Sequence, residues 1–232
     1  MSKLATLLLC LLSLQTFSMT KSMEFSIETD QDLYFQIQKI TIKEVKPEIE
    51  TTLEGGIDKD LQMAIMLVDG LIAIGKKVWP IIENNKPVVD INNNLSVSVL
   101  PVMQNTSPDD IIFLLSHWSA PTKKTYEVSF KNGFGSEVIG FTYSVIYQYG
   151  GKYQNKGQYL SGIRVSVEEV NVSWGFDFSA KTSLDTLSNH GSLENPIAGA
   201  SFNISYIAKS VLKEIRSTDS FHVQGNGVFT KL

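Results

Sequence analysis

The sequence is almost free of cysteine. Of its 232 residues only Cys10 is a cysteine, and it lies within an N-terminal apolar block that we predict to be removed. The mature chain would then have no disulfide, no thiol nucleophile and no thiolate metal ligand. A domain of this length can fold on its apolar core alone. The lack of cysteine in an exported chain favours a bacterial periplasmic or secreted protein.

The sequence also lacks a concentration of charge of one sign. The formal net charge is −4, and the basic residues are scattered, with adjacent pairs only at Lys76-Lys77 and Lys123-Lys124. Nucleic-acid binding needs a basic face, and this distribution provides none. We therefore predict no nucleic-acid partner.

Catalytic and cofactor motifs are missing as well. The chain contains no Gly-x-Ser-x-Gly elbow, no P-loop and no dinucleotide fingerprint. His117, His190 and His222 are isolated in the sequence, without the spacing of a zinc site. We predict no catalytic residue, no cofactor and no metal, and a protein that is not an enzyme. A secreted hydrolase stays open as an alternative, because a pair of carboxylates is assembled in space and not by spacing.

The N-terminus has the pattern of a signal peptide. Lys3 precedes an apolar block over residues 4–14, which is shorter than the roughly 20 residues of a membrane-spanning helix. Small residues at the −3 and −1 positions favour cleavage after Ser18 or after Ser22. We predict a signal peptide over residues 1–22, export to the periplasm or the medium, and one domain over residues 23–232.

One amphipathic helix is predicted over about residues 58–78. Asp58 is a suitable N-cap, and the apolar residues after it recur at helical spacing: Leu61, Ala64, Ile65, Val68, Leu71 and Ile72. A helix of this kind ahead of a β region resembles the layout of actinoporin-type pore formers. The resemblance implies an alternative function, a membrane-active protein that inserts the helix at 61–79. The other interpretation packs this helix on the core.

From residue 88 onward the pattern is typical of strands. Apolar residues alternate with polar ones in two clear runs: Val170, Val172, Trp174, Phe176 and Phe178, and then Phe202, Ile204 and Tyr206. Strands with one apolar and one polar face belong to antiparallel sheets that are solvated on one side. The predicted fold class is mainly β, an antiparallel two-sheet β-sandwich with one amphipathic helix near the N-terminus.

Local signals predict where the chain bends. A change of parity near Gln38-Lys39 predicts a bulge or turn, and Asn132-Gly133 predicts a hairpin turn. Gly150-Gly151 predicts another turn, and residues 180–197, rich in Ser, Asn and Gly, a long loop.

Five aromatic residues near turns are candidate contacts for a ligand or partner: Trp79, Trp118, Tyr149, Tyr153 and Tyr159. Exposed aromatic rings beside Asn and Gln suit sugar stacking or a protein interface. The function predicted from the sequence is a non-enzymatic exported module that binds or scaffolds an envelope or extracellular partner, either a protein or a glycan. Membrane contact is the less favoured interpretation.

Overall fold

The computed structural model describes residues 30–45, 66–75, 77–83, 85–87 and 96–232. The predicted signal peptide lies outside these residues. The short helical segments are α1 (Asp30–Phe35), α2 (Pro108–Ile111) and a 3-10 segment (Ile112–Leu114). In chain order the strands are β1 (Ile37–Val45), β2 (Met66–Val68), β3 (Leu71–Ile74), β4 (Val78–Glu83), β5 (Lys86–Pro87), β6 (Val97–Pro101), β7 (Thr122–Asn132), β8 (Glu137–Tyr153), β9 (Lys156–Val172), β10 (Phe176–Asn189), β11 (Ala198–Ser210), β12 (Glu214–Gln224) and β13 (Phe229–Lys231).

These strands form two antiparallel sheets. The first has the order β1-β7-β8-β9-β6-β3-β2, and the second has the order β13-β12-β11-β10-β4-β5. Aromatic side chains of the two sheets meet between them: the ring of Phe141 on β8 lies 4.7 Å from that of Phe178 on β10 and 5.2 Å from that of Tyr206 on β11. The protein is therefore mainly β and sandwich-like, as the alternation predicts.

Several local predictions are confirmed. In the second sheet, Phe178, Phe202 and Tyr206 point into the core, and their polar neighbours point outward. The register between β1 and β7 shifts between Ile37 and Lys39, at the predicted change of parity. At the β7–β8 turn, the Asn132 side chain accepts hydrogen bonds from the backbone N–H groups of the residues that follow it.

The helix predicted over 58–78 is wrong for residues 66–75 and 77–78, and residues 58–65 and 76 lie outside the described residues. Instead, β2 and β3 form a hairpin, and β4 begins at Val78. Its turn is Asp69-Gly70, where both residues have positive φ, 47° and 76°. Asp-Gly is a strong signal for a two-residue hairpin turn, and a short apolar run on each side of it fits a buried strand as well as a helix. The one short helix near the N-terminus is α1.

Two other segments are longer strands than predicted. Gly150-Gly151 does not turn the chain, because β8 continues to Tyr153 and the reversal is at Gln154-Asn155, with φ of 49° and 61°. Residues 180–189 belong to β10, so the loop is limited to residues 190–197. Small polar residues on the solvated face of β10, together with a register shift after Leu184, hide the alternation in the sequence.

Candidate functional site

Two of the five predicted contact aromatics lie in the core. Trp79 on β4 and Tyr159 on β9 are buried. Burial also raises the pKa of the Tyr159 hydroxyl, because the phenolate would lose its hydration. Both rings belong to the apolar core, and their role as ligand contacts stays a prediction.

The other three aromatics, Trp118, Tyr149 and Tyr153, are half-buried against the core at one end of the sandwich. We call them the tyrosine end. The Trp118 ring lies so close to Gly151 that a Cβ there would be 2.4 Å from it, and the Tyr149 ring would be 2.8 Å from a Cβ at Gly227. These rings are seated on glycines, and their role as ligand contacts stays a prediction.

The opposite end of the sandwich exposes four large apolar side chains. Trp174 is 82% exposed, Val211 74%, Leu212 53% and Phe134 52%. They come from three separate connections: the β7–β8 turn, the link between β9 and β10, and the turn between β11 and β12. We call these four residues the tryptophan end.

Helix α1 connects the loops of the tryptophan end. The backbone N–H of Gly133, in the β7–β8 turn, donates to the carbonyl oxygen of Leu33 over 2.9 Å. The hydroxyl of Ser210, at the end of β11, donates to the carbonyl oxygen of Phe35 over 2.7 Å. These bonds satisfy carbonyl groups of a short helix that would otherwise lack partners. Two loops from different sheets are thereby fixed to one element.

The third connection is held through Trp174 itself. The Tyr34 hydroxyl donates to the backbone carbonyl oxygen of Trp174 over 3.2 Å, and the rings of Phe35 and Trp174 lie 6.1 Å apart. Gly175 has a φ of +80°, and a Cβ there would be 2.5 Å from the Phe35 ring. Glycine therefore permits both the turn and the close approach. The Trp174 backbone is fixed while its side chain faces solvent.

Sequence reasoning placed Trp174 on the buried face, in phase with Phe176 and Phe178. The phase breaks because β9 ends at Val172 and the chain reverses through Ser173, Trp174 and Gly175 before β10 begins. The available signal was the glycine that directly follows the tryptophan. A glycine inside an alternating run indicates a bulge or bend.

A buried polar cluster lies between the sheets, around Asp219 on β12. Its carboxylate accepts hydrogen bonds from the Tyr206 hydroxyl over 2.6 Å and from the Tyr143 hydroxyl over 3.2 Å, and it pairs with the Lys231 ammonium over 3.0 Å. Burial raises the pKa of both tyrosines well above the usual range, so their hydroxyls stay protonated and donate. The cluster satisfies its own members and stabilises the fold.

A shallow groove runs along the outer face of β1 and β7. It is lined by alternating basic, acidic and hydroxyl side chains: Lys39, Thr41, Lys43, Glu127, Ser129, Lys131 and Glu137. The Ser129 hydroxyl donates to the Glu137 carboxylate. Lysines on an edge strand such as β1 discourage pairing with another chain, which accounts for this surface as a solvated sheet face.

The histidines that are isolated in the sequence are only partly isolated in space. The Nε2 atoms of His190 and His222 are 2.8 Å apart on the outer face of the second sheet, whereas His117 contacts the Ser116 hydroxyl elsewhere. Within the described part of the chain, no three His, Cys, Asp or Glu side chains form a group that could hold a metal ion.

Comparisons with protein-family models, with curated proteins and with solved structures give no match. Among the residues that the structure describes, no helix is both long and apolar enough to span a bilayer.

Proposed function

We propose that this protein is an exported, non-enzymatic module that binds a protein partner through the tryptophan end. The observation that carries the proposal is the exposure of Trp174, Val211, Leu212 and Phe134 together on loops fixed by α1. A group of exposed apolar side chains marks a candidate interaction site, whereas a single one does not. Tryptophan is also among the residues that contribute most to protein–protein affinity.

The backbone around these side chains supports binding rather than chance exposure. Three loops are hydrogen-bonded or packed onto α1, so little loop ordering would oppose association. The four side chains of the tryptophan end are aromatic or aliphatic, the kinds that predominate at the centres of interfaces, and charged residues lie around them, as at a rim.

The charge of the molecule favours a protein over an anionic membrane. Two carboxylates, Asp30 and Asp32, lie in the first turn of α1, one lysine, Lys213, lies in the neighbouring β11–β12 turn, and the whole chain carries a net charge of −4. Anionic lipid headgroups attract basic residues and would repel such a surface. The protein partner is also supported by strands β2, β3 and β4, which stand where the described part of the 61–79 helix of the membrane-active alternative was expected.

Export forms part of the proposal and has its own experiment. The support is the apolar block at residues 4–14 followed by small residues before Met19 and Met23. The exported product should have a mass that corresponds to cleavage after Ser18 or Ser22. A product that keeps the full N-terminus would contradict this part of the proposal and leave the binding surface to be judged separately.

The binding surface is tested by photocrosslinking from two matched positions. A photoreactive residue replaces Trp174 in one protein and Phe113, which is 75% exposed on the 3-10 segment, in the other. A partner crosslinked only from position 174 is identified, purified and titrated against the wild type, Trp174→Ser and Phe113→Ser. Because loss of a central tryptophan costs about 2 kcal/mol or more, we expect an affinity loss of at least about 30-fold for Trp174→Ser.

The control variant Phe113→Ser should bind within about twofold of the wild type, because a residue outside the interface changes affinity little. An adduct of twice the chain mass would show that the partner is a second copy. Crosslinks to lipid or glycan, equal crosslinking from both positions, or unchanged affinity of Trp174→Ser would each overturn the proposed protein partner.

A further inference from the structure

The pair formed by His190 and His222 is built across three strands. His190 is the first residue after β10, His222 lies on β12, and β11 runs between them. The two Nε2 atoms are 2.8 Å apart, and the ring planes are inclined by 69°. Two imidazole nitrogens at this distance share a single proton, because two N–H groups would repel each other.

Gly199 on β11 provides the space for this contact. A Cβ at position 199 would lie 2.7 Å from the Nε2 atom of His190 and 2.4 Å from the hydroxyl of Ser188. Real side chains do not approach so closely, so any larger residue would displace the His190 ring. The absence of a side chain at this one position lets His190 reach across β11 to His222.

Serine hydroxyls contact both rings. The Ser201 hydroxyl lies 2.9 Å from Nδ1 of His222, and the Ser188 hydroxyl lies 2.9 Å from Nε2 of His190. A proton on Nδ1 of His222, donated to Ser201, leaves its Nε2 lone pair directed at His190. Metal-binding histidines are oriented in this way, with the second ring nitrogen donating to a neighbouring group.

We propose that His190 and His222 bind a divalent copper ion through their Nε2 atoms. Metal–imidazole bonds of about 2.0 Å at a right angle place two nitrogens about 2.8 Å apart, whereas a tetrahedral ion separates them by about 3.3 Å. The Nε2 atoms of His190 and His222, which share a hydrogen bond at 2.8 Å, lie close enough together to become adjacent ligands of one tetragonal ion once the exposed His190 ring rotates. Imidazole ligands in tetragonal geometry are typical of Cu²⁺. Water completes the coordination, beside the Ser188 hydroxyl.

On binding, the ion takes the place of the proton that lies between the two Nε2 atoms. His190 moves its proton from Nε2 to Nδ1, and its exposed ring turns outward, so both Nε2 lone pairs point at the metal. A neutral imidazole is the form that binds a metal.

The test is a titration of the full chain with Cu²⁺, followed by calorimetry and by electron paramagnetic resonance. All proteins carry Cys10→Ser, so that the single thiol does not compete for copper. We expect one site with two nitrogen ligands, and an affinity loss of at least about tenfold in His190→Ala and in His222→Ala. His117→Ala is the matched control and should keep the wild-type affinity within about twofold.

Gly199→Ala tests the geometry separately, because it keeps both histidines and displaces one ring. We expect it to lower copper affinity by at least about tenfold while circular dichroism shows the same β structure. Equal copper binding by the wild type and by the double variant His190→Ala/His222→Ala would overturn the proposal. Loss of the site in His117→Ala, or a signal with a single nitrogen ligand, would overturn it too.

Discussion

Trp118 and Tyr149 at the tyrosine end and Trp174 at the tryptophan end are placed in opposite ways. At the tyrosine end, Trp118 and Tyr149 rest on Gly151 and Gly227, and their rings extend the core. At the tryptophan end, the backbone of Trp174 is held by Tyr34 and its ring faces solvent. Both ends combine aromatic residues with nearby glycines, so residue type alone does not distinguish the buried rings from the exposed one. The difference lies in which ring packs on the glycine: Gly151 and Gly227 receive the Trp118 and Tyr149 rings, whereas Gly175 receives the Phe35 ring and leaves Trp174 exposed.

The comparison predicts that stability and binding separate between the ends. Trp118→Ala should lower the free energy of unfolding by about 3 kcal/mol, because it removes a ring packed on the core. Trp174→Ala should lower it by less than about 0.5 kcal/mol, since an exposed ring contributes little to folding. Urea unfolding curves of both variants measure this, and equal losses would remove the distinction between the two ends.

A substitution at Gly151 tests whether the Trp118 ring packs against this glycine. Gly151→Ala should cost about 2 kcal/mol of unfolding free energy, because the new Cβ would enter the space of the Trp118 ring. In Gly151→Ala/Trp118→Ala the ring is absent, so the alanine should add less than about 0.5 kcal/mol to the cost of Trp118→Ala alone. A double-mutant cycle in urea gives both numbers. Additive costs would show that the ring and the glycine do not contact each other.

The buried cluster around Asp219, in the middle of the sandwich, gives a stability effect with which both ends can be compared. Tyr206→Phe should lower the free energy of unfolding by about 1.5 kcal/mol, because the buried Asp219 carboxylate loses its shorter tyrosine hydrogen bond. Tyr153→Phe, at the half-buried tyrosine end, should cost less than about 0.5 kcal/mol. Thermal and urea unfolding measure both variants. A Tyr206→Phe protein as stable as the wild type would show that the cluster does not contribute to stability.

The smallest predicted effect is a pH dependence of the histidine pair. The pair lies at the same end of the sandwich as the tyrosine end. In the loop after His190, the carbonyl oxygen of Pro196 accepts a hydrogen bond from the backbone N–H of Gln158, near the start of β9. His222 is faced by His190 and by the Ser201 hydroxyl, and its pKa in the folded chain is lowered from 6.5. The unfolded chain therefore binds the proton more readily as the pH falls. Stability from this group is present above pH 6.5 and decreases as the pH falls below it.

In metal-free buffer, the wild type should therefore lose more stability than His222→Gln between about pH 7.5 and about pH 5.5. Urea unfolding at several pH values measures the difference. Parallel pH profiles of the two proteins would contradict the assignment to His222, whereas Trp174→Ala should follow the wild-type profile.

The fold class follows from period-two alternation wherever a strand is solvated on one face. Phe202, Ile204 and Tyr206 show this pattern without interruption, and the strand was predicted correctly. The hairpin at Asp69-Gly70 was missed because strands β2 and β3 form one apolar run, and such a run does not distinguish a strand from a helix. Asp69-Gly70 interrupts this run, yet the helical spacing of Val68, Leu71 and Ile72 continues across it.

The candidate surfaces were harder to predict from the sequence than the fold. Trp174 continues an alternating pattern, and only the reversal at Gly175 turns it outward. His190 and His222 are separated by a whole strand, so their contact depends on the order of β10, β11 and β12 in the sheet. Register and sheet order are long-range properties, and local sequence patterns do not determine them.

The most direct test of the central claim is photocrosslinking from positions 174 and 113, with titration of the purified partner. We expect one protein adduct from position 174, none from position 113, and a loss of affinity of at least about 30-fold in Trp174→Ser. The same adducts from both positions, or wild-type affinity in Trp174→Ser, would contradict it.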